Sequence, residues 1–460
     1  MNPPAAGVLV AGSHSGAGKT TVTAVLLAAA RRRGLDVRPF KLGPDFIDPG
    51  YHAAATGRES INLDRWMMGE AGIKTAYQRW ADGGELAVIE AMGALYDGED
   101  GSGRGSAAEL AKLLGVPVII VLDVWGMTRT TAAVLDGLIG FDAELPVAGW
   151  ILNRVGSAGH AKMIMDALPD RLRDGVLGWI RHDDDLGVPE RHLGLVTTAE
   201  LAVPAERRER ALINAAEHLD LDRLIGDRPL SSGGPAAPHE PTSKGSGGGL
   251  RLAVAWDDAF CFRYPENLRL LREAGFEPVP FRPTVDPALP PDVAVIYLCG
   301  GYPESFAAQL AGNTSLAAEL RDRAAAGTPI LAECGGLIYL ARTLTDFDGR
   351  TYPMCGVLPL DVIMDRDHLA IRYVEARTLH PSPLGPAGTT VRGQEFHQSR
   401  ILASDLEPNL FETVTSAGGT GRDGYLRDNV LACYSHLYLG SNPAIAEALA
   451  SAARGVRRPG

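Results

Sequence analysis

The chain has 460 residues, with 44 Lys and Arg against 56 Asp and Glu and a formal net charge of −12. That balance offers no basic footprint for nucleic acid, and 45% hydrophobic with 22% charged residues is ordinary for a globular protein long enough for two or three cores. Five cysteines, an odd number with no C-x-x-C pair, fit reduced thiols in a cytoplasmic enzyme and argue against a disulfide framework or a zinc site.

The N-terminus lacks a basic leader, and its apolar stretch at 5–11 is strand-sized. The longest apolar run, 116–122, is far too short to span a bilayer, so no membrane role is expected. Residues 7–11 read as a strand. The glycine-rich stretch Gly12-Ser13-His14-Ser15-Gly16-Ala17-Gly18-Lys19-Thr20 follows, then a helix over 20–33. This resembles the phosphate-binding loop G-x-x-x-x-G-K-[ST], with Ser13 at the first glycine position and Gly12 just before it. Gly16 and Gly18 let backbone N–H groups wrap phosphate, Lys19 reaches the outer phosphates, and the Thr20 hydroxyl suits Mg²⁺.

A second strand, 37–41, leads into FKLGPDFIDP at 40–49. Lys41, Asp45 and Asp48 would lie at the sheet edge where such folds bind ligands. The two aspartates equally suit a turn beside proline. Glu90 ends a strand at 86–89, placed either for a metal or simply facing water. A helix at 107–114, with Ser106 as its cap, and strands at 117–122 and 147–152 complete this half. The charge run at 182–185 reads as a solvated loop.

Residues 228–249 are rich in Pro, Gly and Ser and read as a flexible linker. They divide the chain into 1–227 and 250–460, whose last residues resemble a frayed tail. The second half alternates strands at 251–255, 277–280, 293–298 and 329–332 with helices at 265–274, 304–311 and 316–326. Alternation in both halves implies two doubly wound, mostly parallel α/β domains.

Cys334, in AECGG at 332–336, falls on a sharp turn between a strand and a helix expected over 337–344. The helix N-terminus there would favour the thiolate. A nucleophilic thiol needs a base and an oxyanion hole. Gly335 N–H and an N–H from Gly300-Gly301 are the candidate oxyanion donors, with Gly301 favoured. His397 and His436 are the candidate bases, and His436, after a strand at 430–433, is favoured. Cys261, Cys299, Cys355 and Cys433 read as buried small hydrophobes.

On these residues the chain resembles cobyrinic acid a,c-diamide synthases over nearly its whole length. The matching stretches are FKLGPDFIDP at 40–49, NLDRWM at 62–67, RHLGL at 191–195, CGGYPE at 299–304 and AECGG at 332–336. The first half is similar to dethiobiotin-synthetase-type P-loop domains, and the second to class I glutamine amidotransferases. The resemblance implies phosphate binding by Lys19 and Lys41, Mg²⁺ held by Thr20, Asp45 and Glu90, and Asp48 acting near a corrinoid carboxylate. It places Asn153 where related proteins read adenine, Cys334 as glutaminase nucleophile and His436 as its base. Tyr438 stands where amidotransferases with a full triad carry glutamate, and Gln398 where the family usually has tyrosine.

The implied activity is ATP- and glutamine-dependent amidation of the a and c acetate side chains of cobyrinic or hydrogenobyrinic acid. The partners are then a corrinoid, ATP and L-glutamine, with neither nucleic acid nor membrane, and a homodimer is compatible. Cobyric acid synthase and nickel-tetrapyrrole a,c-diamide synthase are the neighbouring alternatives. A P-loop switch protein with an inactive amidotransferase domain is the non-enzyme one.

Overall fold

The unbroken apolar run near the N-terminus has a structural cause: its strand is covered on both faces. In a computed structural model describing residues 6–98, 101–187, 203–225 and 249–455, this run forms β1 (Ala6–Gly12). Val8 and Val10 pack with Val25 and Leu27 on one side, while Leu9 and Ala11 pack with Phe40 and Leu110 on the other. Two-sided burial of this kind marks a parallel sheet flanked by helices.

The described residues form two compact units, one within 1–242 and one within 243–460. The linker stretch up to residue 248, RHLGL at 191–195 and the tail from 456 lie outside the described residues. Among the described residues no helix is long and apolar enough to cross a membrane.

In the first unit β1 is joined by β2 (Val37–Leu42), β3 (Ile61–Leu63), β4 (Leu86–Ala94), β5 (Val118–Asp123), β6 (Val147–Val155) and β7 (Val176–Arg181). Their order is β3-β2-β4-β1-β5-β6-β7, and every neighbouring pair is parallel. The loop leaving β1 therefore emerges at the centre of the sheet's C-terminal edge, between β4 and β5.

Helix α1 (Lys19–Arg32) follows that loop. The sequence pattern does not reveal α2 (Ile47–Thr56) or α3 (Arg65–Ala81). Both owe their starts to local capping. Asp45 accepts from the backbone N–H groups of Ile47 (3.0 Å) and Asp48 (3.1 Å), and Asp64 from that of Met67 (2.8 Å). Helix α4 (Ala107–Leu114) is capped by Ser106, which accepts from Glu109 N–H, as the sequence suggests.

The second unit opens with β8 (Leu250–Ala255), β9 (Phe276–Phe281), β10 (Val293–Leu298) and β11 (Ile330–Glu333). The helix after β11 spans only Gly335–Leu340, shorter than the expected 337–344, because β12 (Thr343–Thr345) begins there. Further strands then follow: β13 (Thr351–Pro353), β14 (Leu360–Met364), β15 (Ala370–Thr378), β16 (Thr390–His397), β17 (Ser399–Ser404), β18 (Phe411–Thr415), β19 (Thr420–Asp423), β20 (Tyr425–Arg427), β21 (Val430–Cys433) and β22 (His436–Tyr438).

The six-stranded sheet runs β20-β21-β11-β10-β8-β9, parallel except for β20 with β21. Two further sheets, β13-β12-β14-β17 and β19-β18-β15-β16-β22, are mainly and wholly antiparallel respectively. The doubly wound expectation thus describes the parallel core of this unit and omits the antiparallel layers built on it.

Candidate active sites

In the first unit the loop after β1 turns through Gly16 (φ 84°) and Gly18 (φ 87°), left-handed conformations that favour glycine. A methyl group on Gly18 would overlap Nδ2 of Asn153. That amide donates to the Ala17 carbonyl at 2.9 Å, so Asn153, from the end of β6, braces the loop from outside. Lys19 is buried at the start of α1, and burial followed by the neighbouring Lys41 lowers its pKa.

Four more side chains converge on Thr20. Its hydroxyl donates to Glu90 Oε1 at 2.8 Å and lies 3.2 Å from Asp48 Oδ1. Lys41 pairs with Asp48, with Glu90 Oε1 at 3.1 Å, and donates to the Ala91 carbonyl at 3.1 Å. His52 completes the group: its Nε2 lies 2.6 Å from Glu90 Oε2, and its Nδ1 lies 2.9 Å from Ser60 Oγ. Glu90 and His52 are wholly buried. Burial pushes the Glu90 carboxyl up, but Lys41, His52 and Thr20 outweigh it and hold Glu90 ionised well below the usual carboxylate range. Asp48 shifts the opposite way, raised by burial and then by the charge on Glu90. Burial opposes the charge on Lys41, and its carboxylate neighbours more than restore it.

An alcohol and two carboxylates thus present only oxygen toward one point, a donor set suited to a hard divalent cation. Asp45, expected with Thr20 and Glu90, lies near enough to act on the charges of Lys41 and Asp48. Both its carboxylate oxygens serve the start of α2, and Asp48 is the aspartate that reaches Thr20. His52 was not anticipated. The available signal is its spacing, since a residue four beyond Asp48 shares that helix face.

In the second unit Cys334 has φ 48° and ψ −101°, an uncommon backbone state for a residue bearing a Cβ. The turn is pinned by Cys334 N–H donating to the Cys433 carbonyl at 2.7 Å, and Ile338 N–H returns to the Cys334 carbonyl at 3.1 Å. Strands β11 and β21 are parallel neighbours, with Glu333 opposite Cys433. Cys334 and His436 therefore leave the same sheet edge, one residue and three residues past that register.

Glycines bring the remaining parts together. A methyl group on Gly335 would lie 3.0 Å from Gly301 N, which puts the two candidate oxyanion N–H donors side by side. One on Gly300 would overlap the His436 ring and lie 2.9 Å from its Nδ1. His436 is almost fully buried, and burial, then His397, pushes its pKa down to about 3 against the pull of Glu395. Its imidazole is thus neutral and able to accept a proton.

The thiol departs from expectation. Gly335 N–H does favour the thiolate, but burial, followed by the charge of Glu304, pushes the Cys334 pKa up overall. The resting site holds a protonated thiol and a neutral imidazole. His397, the other candidate base, is stacked on the Tyr434 ring at 3.9 Å, with Nδ1 2.9 Å from the Ser399 carbonyl. Cys299, Cys355 and Cys433 are buried as expected, whereas Cys261 is only half-buried, and all are free thiols.

Comparison with known proteins agrees with this division. Residues 8–196 match the family described as "CobQ/CobB/MinD/ParA nucleotide binding domain", and residues 251–444 the "CobB/CobQ-like glutamine amidotransferase domain". The chain is 37% identical over 455 residues to the cobyrinate a,c-diamide synthase of Syntrophotalea carbinolica, covering 97% of this chain and 98% of that protein. It is 40% identical to the hydrogenobyrinate a,c-diamide synthase of Rhodobacter capsulatus (94% of this chain, 99% of that one) and 39% identical to that of Mesorhizobium japonicum (93% and 97%).

Proposed function

The chain belongs to the family of cobyrinate and hydrogenobyrinate a,c-diamide synthases, and on that premise we propose that it forms both amides of a corrinoid dicarboxylate at the expense of ATP and glutamine. One observation carries the reading: the same chain holds a phosphate loop with a charged oxygen-donor cluster and, in its second unit, a strained thiol elbow with a buried neutral histidine from the same sheet edge. Each half supplies what the other lacks, an activated acyl group or a source of ammonia.

In the first unit the loop N–H groups and Lys19 hold the ATP phosphates. A carboxylate oxygen of the corrinoid attacks the γ-phosphorus, ADP leaves, and an acyl phosphate forms. Lys41, anchored by Asp48 and Glu90, stands ready to balance charge on the transferring group. Thr20, Glu90 and Asp48 would hold Mg²⁺, which when bound neutralises phosphate charge. Asp45 contributes by fixing Asp48 at the start of α2. Ammonia then attacks the acyl carbon and inorganic phosphate departs.

In the second unit His436 takes the Cys334 proton as the sulfur attacks the glutamine amide. Gly335 and Gly301 N–H groups stabilise the oxyanion. The proton passes to the departing ammonia, and water hydrolyses the thioester to glutamate. Burial of both partners means that proton transfer accompanies attack and does not precede it.

The test pairs two substrates. Purified protein with ATP, Mg²⁺ and glutamine should convert cobyrinic or hydrogenobyrinic acid to the diamide by mass spectrometry. Cys334→Ala should lose glutamine use and retain amidation with free ammonia. Glutamine-dependent turnover in that variant would place the nucleophile elsewhere.

A further inference from the structure

Two residues after His436, where a full triad carries glutamate, β22 has Tyr438, its ring edge-on to Tyr264 at 5.5 Å. Whatever holds β22 also sets the place of His436, and a base misplaced by about 1 Å costs about 10²-fold in rate. The structure offers a candidate one residue before the nucleophile.

Glu333 ends β11 and is almost completely buried. Its Oε1 accepts from the backbone N–H of Leu437 at 3.2 Å, and its Oε2 accepts from the Tyr297 hydroxyl at 2.8 Å. Leu437 is the residue after His436. Its carbonyl accepts from Asn267 Nδ2 at 2.7 Å, and Asn267 Oδ1 accepts from Leu439 N–H at 2.8 Å. Asn267 is likewise buried. Both polar groups of Leu437 are therefore gripped by buried side chains from two other elements. On its far side β22 is held by β16, with Gln394 opposite His436, and Gly393 lies so close to the His436 carbonyl that a methyl group there would overlap it.

From this geometry we infer that Glu333 is a positioning residue for the glutaminase reaction, a strut from the nucleophile strand to the backbone beside the base. The strut is short: Glu333 is the direct chain neighbour of Cys334, and Leu437 that of His436. Any motion of β11 is carried to β22, so the strand that bears the nucleophile and the strand that bears the base are held together through the backbone. Tyr297 from β10 keeps the carboxyl aimed by occupying its other oxygen. Burial favours the protonated carboxyl, which still leaves Oε1 free to accept from Leu437.

The inference rests on Cys334 and His436 being the glutaminase pair, so the two are tested apart. Glu333→Ala should lower kcat with glutamine about 10- to 100-fold relative to kcat with ammonia, with KM for glutamine within about twofold. Alkylation of Cys334 by iodoacetamide near neutral pH should slow in parallel, because the imidazole no longer meets the thiol. Glu333→Gln keeps an acceptor for Leu437 N–H and should retain at least about half of the kcat. A Glu333→Ala enzyme with wild-type glutamine kcat overturns the strut, as does a Glu333→Gln enzyme as impaired as Glu333→Ala. Should Glu333→Ala fail to fold, Tyr297→Phe decides: a several-fold drop in glutamine kcat with unchanged KM supports the strut, and wild-type kcat overturns it. Full glutamine use by Cys334→Ala would instead sink the underlying reading of the site.

Discussion

Glu333 and His436 are buried ionisable groups whose shifts have opposite consequences for stability. Burial pushes Glu333 up to about 8 despite hydrogen bonds from Tyr297 and Leu437. The unfolded chain releases that proton in the ordinary carboxylate range near 4.3. Between those limits the folded state binds more protons, so stability falls as pH rises. His436 is the reverse: the unfolded chain takes a proton near 6.5, the folded one only near 3, so stability falls as pH drops through that window. Denaturation of wild type and Glu333→Gln from pH 5 to 8 should therefore diverge, wild type losing on the order of 1 kcal/mol or more relative to the variant. Parallel curves would mean that Glu333 is ionised in the folded protein.

At the scale of elements, function depends on turns that leave no room. Gly300 follows β10 and lies against the His436 ring. Gly300→Ala should lower glutamine-dependent turnover by about 10²-fold through displacement of the imidazole. Ammonia-dependent amidation should persist, and its loss would mean that the second unit had come apart. On α2, His52 occupies Glu90 Oε2 and leaves Oε1 for Thr20 and Lys41. His52→Ala should weaken Mg²⁺ and ammonia-dependent turnover by about 10-fold or more, with His52→Asn less affected. A Mg²⁺ titration of ATP binding would show an unshifted midpoint if His52 were mere filling.

The two strand–turn–helix sites are legible in sequence because their chemistry is local. Gly16 to Thr20 and Ala332 to Gly336 declare themselves within a few residues. Helix α2 is hidden by Pro49, which suits a first helical turn as well as a loop, and His52 is hidden with it. The antiparallel sheets escape because strands such as β12 and β22 span three residues, and β15 leaves Arg372 and Arg377 exposed. Their order comes from distant partners. Glu333 illustrates the limit, since its acceptor role is defined by a backbone N–H 104 residues away.

At the scale of the whole molecule, each unit has its own core, Leu252 to Ala453 in one and the two faces of the seven-stranded sheet in the other. The composition of 228–249 cannot supply a third. Limited proteolysis should cut there first, and first cleavage within either sheet would contradict the boundary. The reaction imposes a harder constraint, because two amides are made while the sequence carries one phosphate loop and one AECGG elbow. One synthetase site must serve both carboxylates in turn. A rigid tetrapyrrole cannot present its a and c side chains to one γ-phosphate in a single pose, since reacting atoms must approach to about 3–3.5 Å. The ring must turn over between steps, and release into solution is the direct route. A monoamide should therefore appear before the diamide and exchange with the medium. Labelled diacid chased with excess unlabelled diacid during the first turnovers should leave label in the monoamide pool. Label flowing entirely into diamide would show that the intermediate reorients without leaving the enzyme.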